Sequence, residues 1–366
     1  MSRKKVAVYA ITKNEAHFVD RWMDSMQEAD LIVVADTGST DNTVDKLLAR
    51  GAQVYRIKVD PWRFDIARNI SLNFVPGDVD ICICTDIDEV LEPGWREKLE
   101  QAWKPTTTQL RYKYTWSFNP DGSRGVTFWY EKIHHRHGFR WTHPVHEVLQ
   151  YYGTIPHEYA WEGSIQLNHL PDPSKSRGQY LPLLEMSVRE DPDDDRNMHY
   201  LGREYMFYGY WDKCIETLQK HLNMPSARWD EERCASMRYI ARSYKEKGNY
   251  NEANRWYYKA LAESPNTREP YVEMAKLAYL EKDWPKQLHM VEAALRIKER
   301  TDSYINEGFC WDSTVYDLGA IANYEMGRLE QACEHARIAA EMSPNDERLQ
   351  DNYKIIQAKL EKQAKA

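Results

Sequence analysis

Two aspartates separated by one residue, Asp86 and Asp88, follow directly after an apolar run at residues 79–83. Carboxylates at the end of a buried strand can together bind a hard divalent cation, which keeps other coordination positions for water and a substrate diphosphate. Glu89 adds a third negative charge, and a cation would relieve the repulsion among the three. The alternative is a solvated turn, because an Asp-x-Asp pattern is common by chance. The pair therefore predicts a metal site if other polar groups meet it.

Two further polar clusters also follow apolar runs, at residues 6–11 and 31–35. Their side chains carry hydroxyl, amide and carboxylate groups: Thr12, Asn14, Glu15, Asp36 and Thr37. Short β-branched runs alternate with helical patterns over the first hundred residues, which predicts a doubly wound, parallel α/β sheet. Ligands bind beyond the carboxyl ends of the strands in such a sheet. All three clusters are therefore expected at one edge.

The elements that must position these residues can be read from the same patterns. Strands are predicted at residues 6–11, 31–35, 52–57 and 80–85. Helices are predicted at residues 16–27, 42–50 and 65–74, the second capped by Thr40 or Asp41. Between residues 109 and 169 the pattern becomes irregular and aromatic, with antiparallel strands expected at 109–117 and 127–133.

From Arg196 onward the sequence is helical and repetitive. Helices end at Gly209, Gly248 and Gly327, and a degenerate copy places Asp283 at the corresponding point. The offsets of 39, 35 and 44 residues lie near the 34-residue tetratricopeptide period, with the last excess assigned to an insertion around 301–313. We therefore predict a catalytic α/β domain at 1–172, a helical connector at 173–195 and repeats at 196–366.

The composition narrows the class of protein. A net charge of −8 argues against a broadly basic nucleic-acid-binding protein. No apolar run approaches the roughly 20 residues that a membrane span needs. Six cysteines include no Cys-x-x-Cys pair, and Cys82 and Cys84 are spaced to point to the same side of a strand. Buried, reduced cysteines and a cytoplasmic protein are expected.

Four segments resemble family-2 glycosyltransferases of the GT-A fold, in the same order and at similar spacings as in that family. The resemblance implies a Rossmann-like, doubly wound α/β domain whose sheet is mixed. They are Ile-Thr-Lys-Asn-Glu at 11–15, Val-Val-Ala-Asp-Thr-Gly-Ser-Thr-Asp at 33–41, Asp-Ile-Ala-Arg-Asn at 65–69, and Cys-Thr-Asp-Ile-Asp-Glu at 84–89. The resemblance is closest to bacterial and phage members with tetratricopeptide repeats behind the catalytic domain. Many members have two acids where this chain has Asp36 and Thr37, which leaves open which of these reaches the base.

The resemblance implies a nucleotide-sugar donor, with a UDP-sugar favoured, and an inverting, metal-assisted transfer. It implies that the donor-binding residues are Thr12, Asn14, Glu15, Asp36, Thr37, Arg68 and Asp86. Asp88 and Asp86 would bind Mn²⁺ or Mg²⁺, which stabilises the leaving nucleoside diphosphate as a Lewis acid, and His169 would be a third ligand. Arg68 could instead form a helix-surface pair with Asp65, and His169 could be an ordinary strand histidine.

An inverting transferase needs a general base for the acceptor hydroxyl. Glu147 is the candidate because it follows His146 in the region expected to face the metal, and Glu89 is the competitor. Trp141 and His146 are the candidate acceptor contacts, although Trp141, like Trp116 and Trp129, could equally belong to the core. Seven of the twelve histidines lie between residues 134 and 169, but no cysteine joins them, so a separate zinc site is not expected there.

The acceptor stays open between a protein or peptide and a glycan, with a modified DNA base as a further alternative. Five basic residues near the expected site could bind phosphate or form a solvated sheet face: Arg111, Lys113, Lys132, Arg136 and Arg140. The repeats are suited to protein binding or self-association. A nucleotidyltransferase is a second hypothesis, weakened because the chain contains no G-x-G-x-x-G loop. A scaffold with a vestigial α/β domain is a third, weakened by the intact acids.

Overall fold

The computed structural model describes residues 3–119, 121–172 and 178–364. It divides into two compact units, one of Met1–Glu190 with Asp302–Tyr304 and one of Asp191–Thr301 with Ile305–Ala366. The division after Glu190 lies within the connector predicted at 173–195. Residues 173–177 of that connector lie outside the described part of the chain. Residues 1–2 of the predicted catalytic domain and 365–366 of the predicted repeats also lie outside it.

The described part of the first unit contains ten strands: β1 Val6–Thr12, β2 Leu31–Asp36, β3 Gln53–Arg56, β4 Ile81–Cys84, β5 Glu89–Leu91, β6 Gln109–Thr115, β7 Thr127–His135, β8 Phe139–Thr142, β9 Val148–Tyr151 and β10 Tyr159–His169. Eight of them form one sheet with the order β3-β2-β1-β4-β7-β6-β10-β5, and β8 and β9 form a separate hairpin. The helices are α1 Val19–Met26, α2 Thr43–Ala49, α3 Phe64–Phe74, α4 Trp95–Ala102 and α5 Tyr180–Glu190.

The sheet is parallel in its first half and mixed in its second. Strands β3, β2, β1 and β4 are parallel neighbours, as the alternating pattern predicts. β7 then runs antiparallel to both β4 and β6, and β10 pairs parallel to β6 and antiparallel to β5. The predicted doubly wound, mixed α/β fold is confirmed.

Both faces of the sheet are covered. Trp22 of α1 and Trp95 of α4 pack with Val8 on one face. On the other face, α3 and the β8–β9 hairpin cover Cys82 and Cys84, which are buried and free, as predicted. Since apolar burial is the main favourable term in folding, this two-sided core stabilises the central strands.

The second unit is an array of helices: α6 Asp195–Phe207, α7 Trp211–Asn223, α8 Asp230–Glu246, α9 Tyr250–Glu263, α10 Glu269–Glu281, α11 Trp284–Arg296, α12 Thr314–Glu325, α13 Leu329–Met342 and α14 Glu347–Ala364. Short turns join them pairwise from α6–α7 to α12–α13. A longer segment with one 3-10 turn, Gly308–Cys310, separates α11 from α12, where the insertion is predicted. Within the described residues, no helix combines the length and apolarity needed to cross a bilayer.

The turns correct the register of the degenerate repeat. Gly209, Gly248 and Gly327 adopt left-handed φ angles of 72°, 73° and 74°, and Lys282, at 57°, does the same between α10 and α11. Its N–H also bonds three residues back, as in the glycine turns. Lys282, and not Asp283, is therefore the counterpart of the glycines. The corrected offset from Gly248 is 34 residues, the tetratricopeptide period.

Candidate functional site

Four of the predicted donor-binding residues lie where β1 and β2 end side by side. Thr12 and Asp36 are register partners at the ends of the two strands. Thr37 donates to the Thr12 carbonyl from its backbone N at 2.9 Å and from Oγ1 at 3.0 Å. Thr12 Oγ1 in turn donates to Glu15 Oε2 at 3.2 Å. The parallel pairing thus joins two polar clusters that the sequence separates.

Two tight turns complete this edge. The Asp36 carboxylate accepts the backbone N–H of Ser39 at 3.1 Å and that of Gly38 at 3.3 Å. Gly38 has a φ of 107°, a conformation that glycine adopts without the steric cost of a Cβ. The fifth donor residue, Asn14, has a φ of 55°, and its side-chain oxygen accepts the N–H of Thr40 at 2.7 Å. Asn14 itself is exposed.

The predicted capping of α2 by Thr40 or Asp41 is confirmed in part. Asp41 Oδ1 accepts the N–H of Thr43 at 3.0 Å, so this carboxylate satisfies a free donor of the first turn of α2. The N-cap position itself is held by Asn42, whose side chain makes no capping bond.

The Asp-x-Asp segment lies directly between β4 and β5. Ile87 is fully buried and anchors the turn in the core, while Asp86 and Asp88 on either side of it are partly exposed. The backbone N–H of Asp86 donates to Glu89 Oε2 at 2.8 Å. The two aspartates therefore lie at the edge of the core, on a turn that is held by the buried Ile87 side chain and by the hydrogen bond from Asp86 to Glu89.

Arg68, from α3, is the buried centre of the site. Its Nη2 donates to Asp86 Oδ1 at 2.8 Å, its Nε to Glu147 Oε1, and its Nη1 to Cys84 Sγ at 3.3 Å. Burial acts against the charge, but the carboxylates of Asp86 and Glu147 hold the pKa of Arg68 well above its ordinary value. The helix-surface pair with Asp65 is wrong, because Asp65 pairs with Arg63 at 2.9 Å.

Lys132, from β7, adds a second buried cation. Its Nζ lies 3.4 Å from Asp86 Oδ2 and 3.6 Å from Glu89 Oε1. Burial by itself would raise the pKa of Asp86, but Arg68 and Lys132 hold that pKa well below its usual range. Asp86 is therefore an ionised carboxylate neutralised by two cations.

Glu89 lies beneath the site instead of within it. Its side chain is 1% exposed, and Oε1 accepts a hydrogen bond from the Tyr114 hydroxyl at 2.9 Å. Burial raises the pKa of this carboxyl, with Lys132 opposing the shift. A group so enclosed supports the turn and has no surface to offer to an acceptor.

Asp88 meets His169 at the end of β10. His169 Nε2 lies 3.6 Å from Asp88 Oδ2, and the Leu170 N–H donates to the Asp88 carbonyl at 2.9 Å. The His169 ring stacks on Trp116 with centroids 4.5 Å apart, and its Nδ1 lies 3.2 Å from the Trp116 carbonyl oxygen. Burial would lower the pKa of His169, but Asp88 raises it above the ordinary value. A carboxylate oxygen and an imidazole nitrogen thus face each other at this edge.

An open cavity of about 480 Å³ adjoins this pair. Its lining combines a cation, aromatic rings and the histidine: Arg21, Trp116, Ser117, Phe118, His169, Leu170 and Pro171. Trp116 is 48% exposed, so its ring offers an apolar face to solvent. A cavity of this kind can take a sugar-sized group.

Glu147 reaches the site from the segment between β8 and β9. This segment contains two non-glycine residues with left-handed backbone, His143 at φ 73° and His146 at φ 51°. Such conformations carry a steric cost and persist where surrounding contacts impose them. Pro144 provides one contact, since its carbonyl accepts the Phe64 N–H at 3.0 Å. His146 approaches Tyr180, with ring centroids 5.7 Å apart.

Two of the aromatic candidates belong to packed clusters. Trp141 is 2% exposed, its Nε1 donates to the Tyr9 hydroxyl at 2.8 Å, and its ring lies in the core under Arg68. It is therefore a core residue, the alternative that its strand position allowed. Trp129 packs edge-on against Trp161 with ring centroids 5.0 Å apart, and Lys113 Nζ lies 4.2 Å from its ring centroid.

His134 and His137 make hydrogen bonds to backbone carbonyls and to one side-chain hydroxyl. His134 Nδ1 lies 2.8 Å from the His135 carbonyl oxygen and its Nε2 lies 2.9 Å from the Tyr9 hydroxyl. His137 Nε2 lies 2.8 Å from the Gly77 carbonyl oxygen. Burial lowers the pKa of His134 to about 3. These rings act as structural hydrogen-bonding groups.

The five basic residues do not form one patch. Lys132 belongs to the buried site, Arg111 pairs with Glu131 at 2.7 Å, and Lys113 pairs with Asp302. Arg136 donates to the Val75 carbonyl at 2.7 Å. Arg140 lies beside a separate cavity on the β8–β9 hairpin.

Sequence reasoning missed two contributors to the site. The sequence pattern identifies Lys132 only as one of five basic residues near the expected site, and it does not identify Tyr114 at all. Both lie on strands, at positions whose facing residues depend on the pairing of β6, β7 and β10. The one available signal is a lysine within a β-strand pattern, which is costly to bury without a partner.

Residues 7–162 match the sequence model of the family described as Glycosyl transferase family 2. Among solved structures, the chain is similar to MamA, with 15% identity over 45% of this chain and 86% of that one, at a TM-score of 0.37. It is similar to pilF of Pseudomonas aeruginosa, with 13% identity over 49% and 72% and a TM-score of 0.38. A thermophilic TPR protein of Thermus thermophilus shares 19% identity over 50% and 92%, with a TM-score of 0.35.

Proposed function

We propose, from the premise that residues 7–162 are a family-2 glycosyl transferase domain, that this chain moves a sugar from a UDP-sugar to an acceptor hydroxyl with inversion. The observation that carries the proposal is the convergence of Arg68, Asp86, Lys132 and Glu147 beside the Asp88–His169 pair. This arrangement offers cations for a diphosphate, ligands for a metal and a carboxylate for an acceptor.

The nucleoside is assigned to the edge formed by β1 and β2. Thr12, Asn14, Glu15, Asp36 and Thr37 offer hydroxyl, amide and carboxylate oxygens there. A carboxylate or hydroxyl can accept the imide N–H of a uracil. The Asp36 carboxylate already accepts two backbone N–H groups, so it is held in one orientation.

Mn²⁺ or Mg²⁺ is the proposed cofactor. Asp88 and His169 supply an oxygen and a nitrogen 3.6 Å apart, and carboxylate oxygens suit Mg²⁺ and Mn²⁺. Asp86 stays a predicted ligand, although its carboxylate also pairs with Arg68 and Lys132. When bound, the cation would supply charge stabilisation to the departing diphosphate.

Arg68 and Lys132 have a parallel role. Both are buried cations whose charge is balanced by Asp86, Glu89 and Glu147. Cations held in place before the reaction stabilise developing negative charge without reorganisation. We assign them to positioning Asp86 and to the electrostatics of the diphosphate.

Glu147 is the proposed general base. Its side chain is 11% exposed, compared with 1% for Glu89, and Arg68 orients it through Nε. A base must reach the proton that it removes, and this condition favours Glu147. His146, directly before it, remains the candidate acceptor contact together with the cavity beside Trp116.

The proposed acceptor is a hydroxyl of a peptide or a glycan. The exposed Trp116 ring suits the apolar face of a sugar, while the second unit presents exposed aromatic side chains, including Phe207, Tyr208 and Tyr210. We assign the repeats to protein binding or self-association. A modified DNA base has less support, because the five basic residues are dispersed.

A thermal-shift panel of nucleotide-sugars with and without Mn²⁺ tests the donor half of the proposal. A ligand that binds only the folded state raises the melting temperature. We expect stabilisation by UDP-sugars that requires Mn²⁺ and is lost in Asp88→Ala. The absence of any metal-dependent nucleotide-sugar binding would refute the proposal, and release of pyrophosphate from a nucleoside triphosphate would favour a nucleotidyltransferase.

A further inference from the structure

Three buried side chains in the second unit bring potential metal ligands together. His199 lies on α6, His221 on α7 and Glu232 on α8, and one ligand atom of each lies within 4.8 Å of the other two. Both imidazoles are 0% exposed and Glu232 is 5% exposed. Buried polar groups require partners, and a cluster of this composition requires an explanation within the helical array.

A single hydroxyl orients both imidazoles. Ser236 Oγ lies 2.8 Å from His199 Nδ1 and 3.0 Å from His221 Nδ1. A serine oxygen has two acceptor lone pairs, so it can accept an N–H from both rings. Each ring then carries its proton on Nδ1 and has a lone pair on Nε2. This is the tautomer that binds a metal through Nε2, and the bond at the other nitrogen selects it.

The two Nε2 atoms lack ordinary partners. His199 Nε2 is buried and accepts or donates no hydrogen bond within the described residues. His221 Nε2 likewise makes no hydrogen bond there, and lies 3.4 Å from Glu232 Oε1. A buried ring nitrogen without a partner loses its hydration and gains nothing in return. A cation placed between these atoms would satisfy both.

The ligand types favour zinc, and the one measured distance is compatible with it. Zinc bonds of about 2.0–2.2 Å at tetrahedral angles place neighbouring ligand atoms about 3.3–3.5 Å apart. The His221–Glu232 distance of 3.4 Å matches this edge, and the ligand atom of His199 lies within 4.8 Å of both partners. Two imidazoles and one carboxylate suit zinc, whereas magnesium and calcium prefer oxygen ligands alone.

We propose that His199, His221 and Glu232 bind one zinc ion that links α6, α7 and α8. The second oxygen of the Glu232 carboxylate or a water molecule supplies the fourth ligand. Ser236 accepts a hydrogen bond from Nδ1 of each imidazole and so holds both rings in place. The ligands come from three successive helices, so the ion stabilises the first repeats of the array, since metal binding to a site formed only on folding adds to stability. The site is independent of the donor site and of the proposed transfer.

The test uses the full-length protein, stripped with chelator and then equilibrated with zinc alone. We expect one equivalent of tightly held zinc by elemental analysis and a rise of several degrees in melting temperature. His199→Gln and Glu232→Gln should lose both effects. His289→Gln, which removes an exposed imidazole from α11, should keep both. Asp88→Asn should also keep both, which separates this site from the donor site.

Two results would overturn the proposal. One is a folded wild-type protein that holds no zinc after equilibration and shows no thermal shift. The other is an unchanged zinc equivalent in folded His199→Gln and Glu232→Gln. If these variants do not fold, cobalt substitution in the wild-type protein decides instead. Intense visible absorption of four-coordinate cobalt is expected, and a weak six-coordinate spectrum or no uptake contradicts the site.

Discussion

Arg68 and Glu147, 79 residues apart in the chain, meet as a buried ion pair in which the guanidinium Nε donates to the Glu147 carboxylate. Arg68 comes from α3, which covers the same face of the sheet as the β8–β9 hairpin. Glu147 comes from the segment between β8 and β9. The same guanidinium binds Asp86 at 2.8 Å. One side chain therefore connects the proposed base to the Asp-x-Asp turn.

Replacing Arg68 by alanine should destabilise the first unit and abolish donor binding. The change leaves Asp86 and Glu147 without their shared cation, and removal of one partner of a buried pair costs about 3–5 kcal/mol. We expect the lower end, because 35% of the Asp86 side chain is exposed. Chemical denaturation measures the loss. Arg50→Ala removes partly exposed surface pairs and should cost less than about 1 kcal/mol; equal losses would contradict the assignment.

Glu147→Gln should separate transfer from donor binding. The amide keeps the size and the contact with Arg68 but cannot accept the acceptor proton, so we expect transfer to fall about 10²–10⁴-fold. The affinity for the donor should change little, as titration calorimetry with a UDP-sugar would show. Glu89→Gln is the comparison, since its carboxyl is enclosed. A Glu89→Gln variant that folds and loses transfer while Glu147→Gln retains it would reverse the two roles.

Removal of the proposed metal ligands should be graded. Asp88→Asn should abolish the Mn²⁺ dependence of UDP-sugar binding. His169→Ala should weaken the affinity for Mn²⁺ by at least the roughly 10–100-fold that follows the loss of an outer hydrogen-bond partner of a metal ligand. Binding is measured by calorimetry at several Mn²⁺ concentrations. Asp78→Asn, an exposed aspartate, serves as the control. A Mn²⁺ dependence that survives in Asp88→Asn would remove Asp88 from the metal site.

His134 should make the first unit sensitive to acid. Burial lowers the pKa of His134 to about 3 in the folded protein, while the unfolded chain has an ordinary value of about 6.5. The unfolded state therefore binds one more proton between these values, and stability falls as the pH drops below about 6.5. The expected slope is about 1.4 kcal/mol per pH unit. Denaturation curves from pH 7.5 to 5 should show a shallower slope in His134→Gln and no change of slope in the exposed-residue control His289→Gln.

Lys282→Gly should stabilise the repeats. Lys282 has a φ of 57°, where the other turns of the array have glycine, and a left-handed L-residue costs about 1–2 kcal/mol. Glycine loses part of this gain through its larger freedom in the unfolded chain, so a net increase of about 0.5–1 kcal/mol in the free energy of unfolding is expected. Lys247→Gly is the control, because Lys247 has a φ of −79°. Stabilisation of both variants, or of neither, would show that the turn conformation is not the cause.

The sequence determined most elements of the first half of the sheet and the edge at which its strands end. Continuous apolar runs, separated by helical patterns, predicted β1, β2 and β4, because a strand that is buried on both faces must be apolar along its length. The polar residues after those runs, Thr12, Asp36 and Asp86, then had to lie at one edge, since parallel strands end on the same side. The repeat period was also readable, although only the φ angles assigned the degenerate turn to Lys282.

The tertiary structure alone decided which charges meet. Arg68, Lys132 and Glu147 come from a helix, an antiparallel strand and a strained loop, and no periodicity links positions so far apart. Trp141 shows the same limit, since its place in the core under Arg68 depends on how the β8–β9 hairpin packs. His199, His221 and Glu232 likewise converge only when three helices stack. Local sequence patterns indicate which face of a helix or strand is buried. Which side chains of distant elements meet depends on how those buried faces pack together.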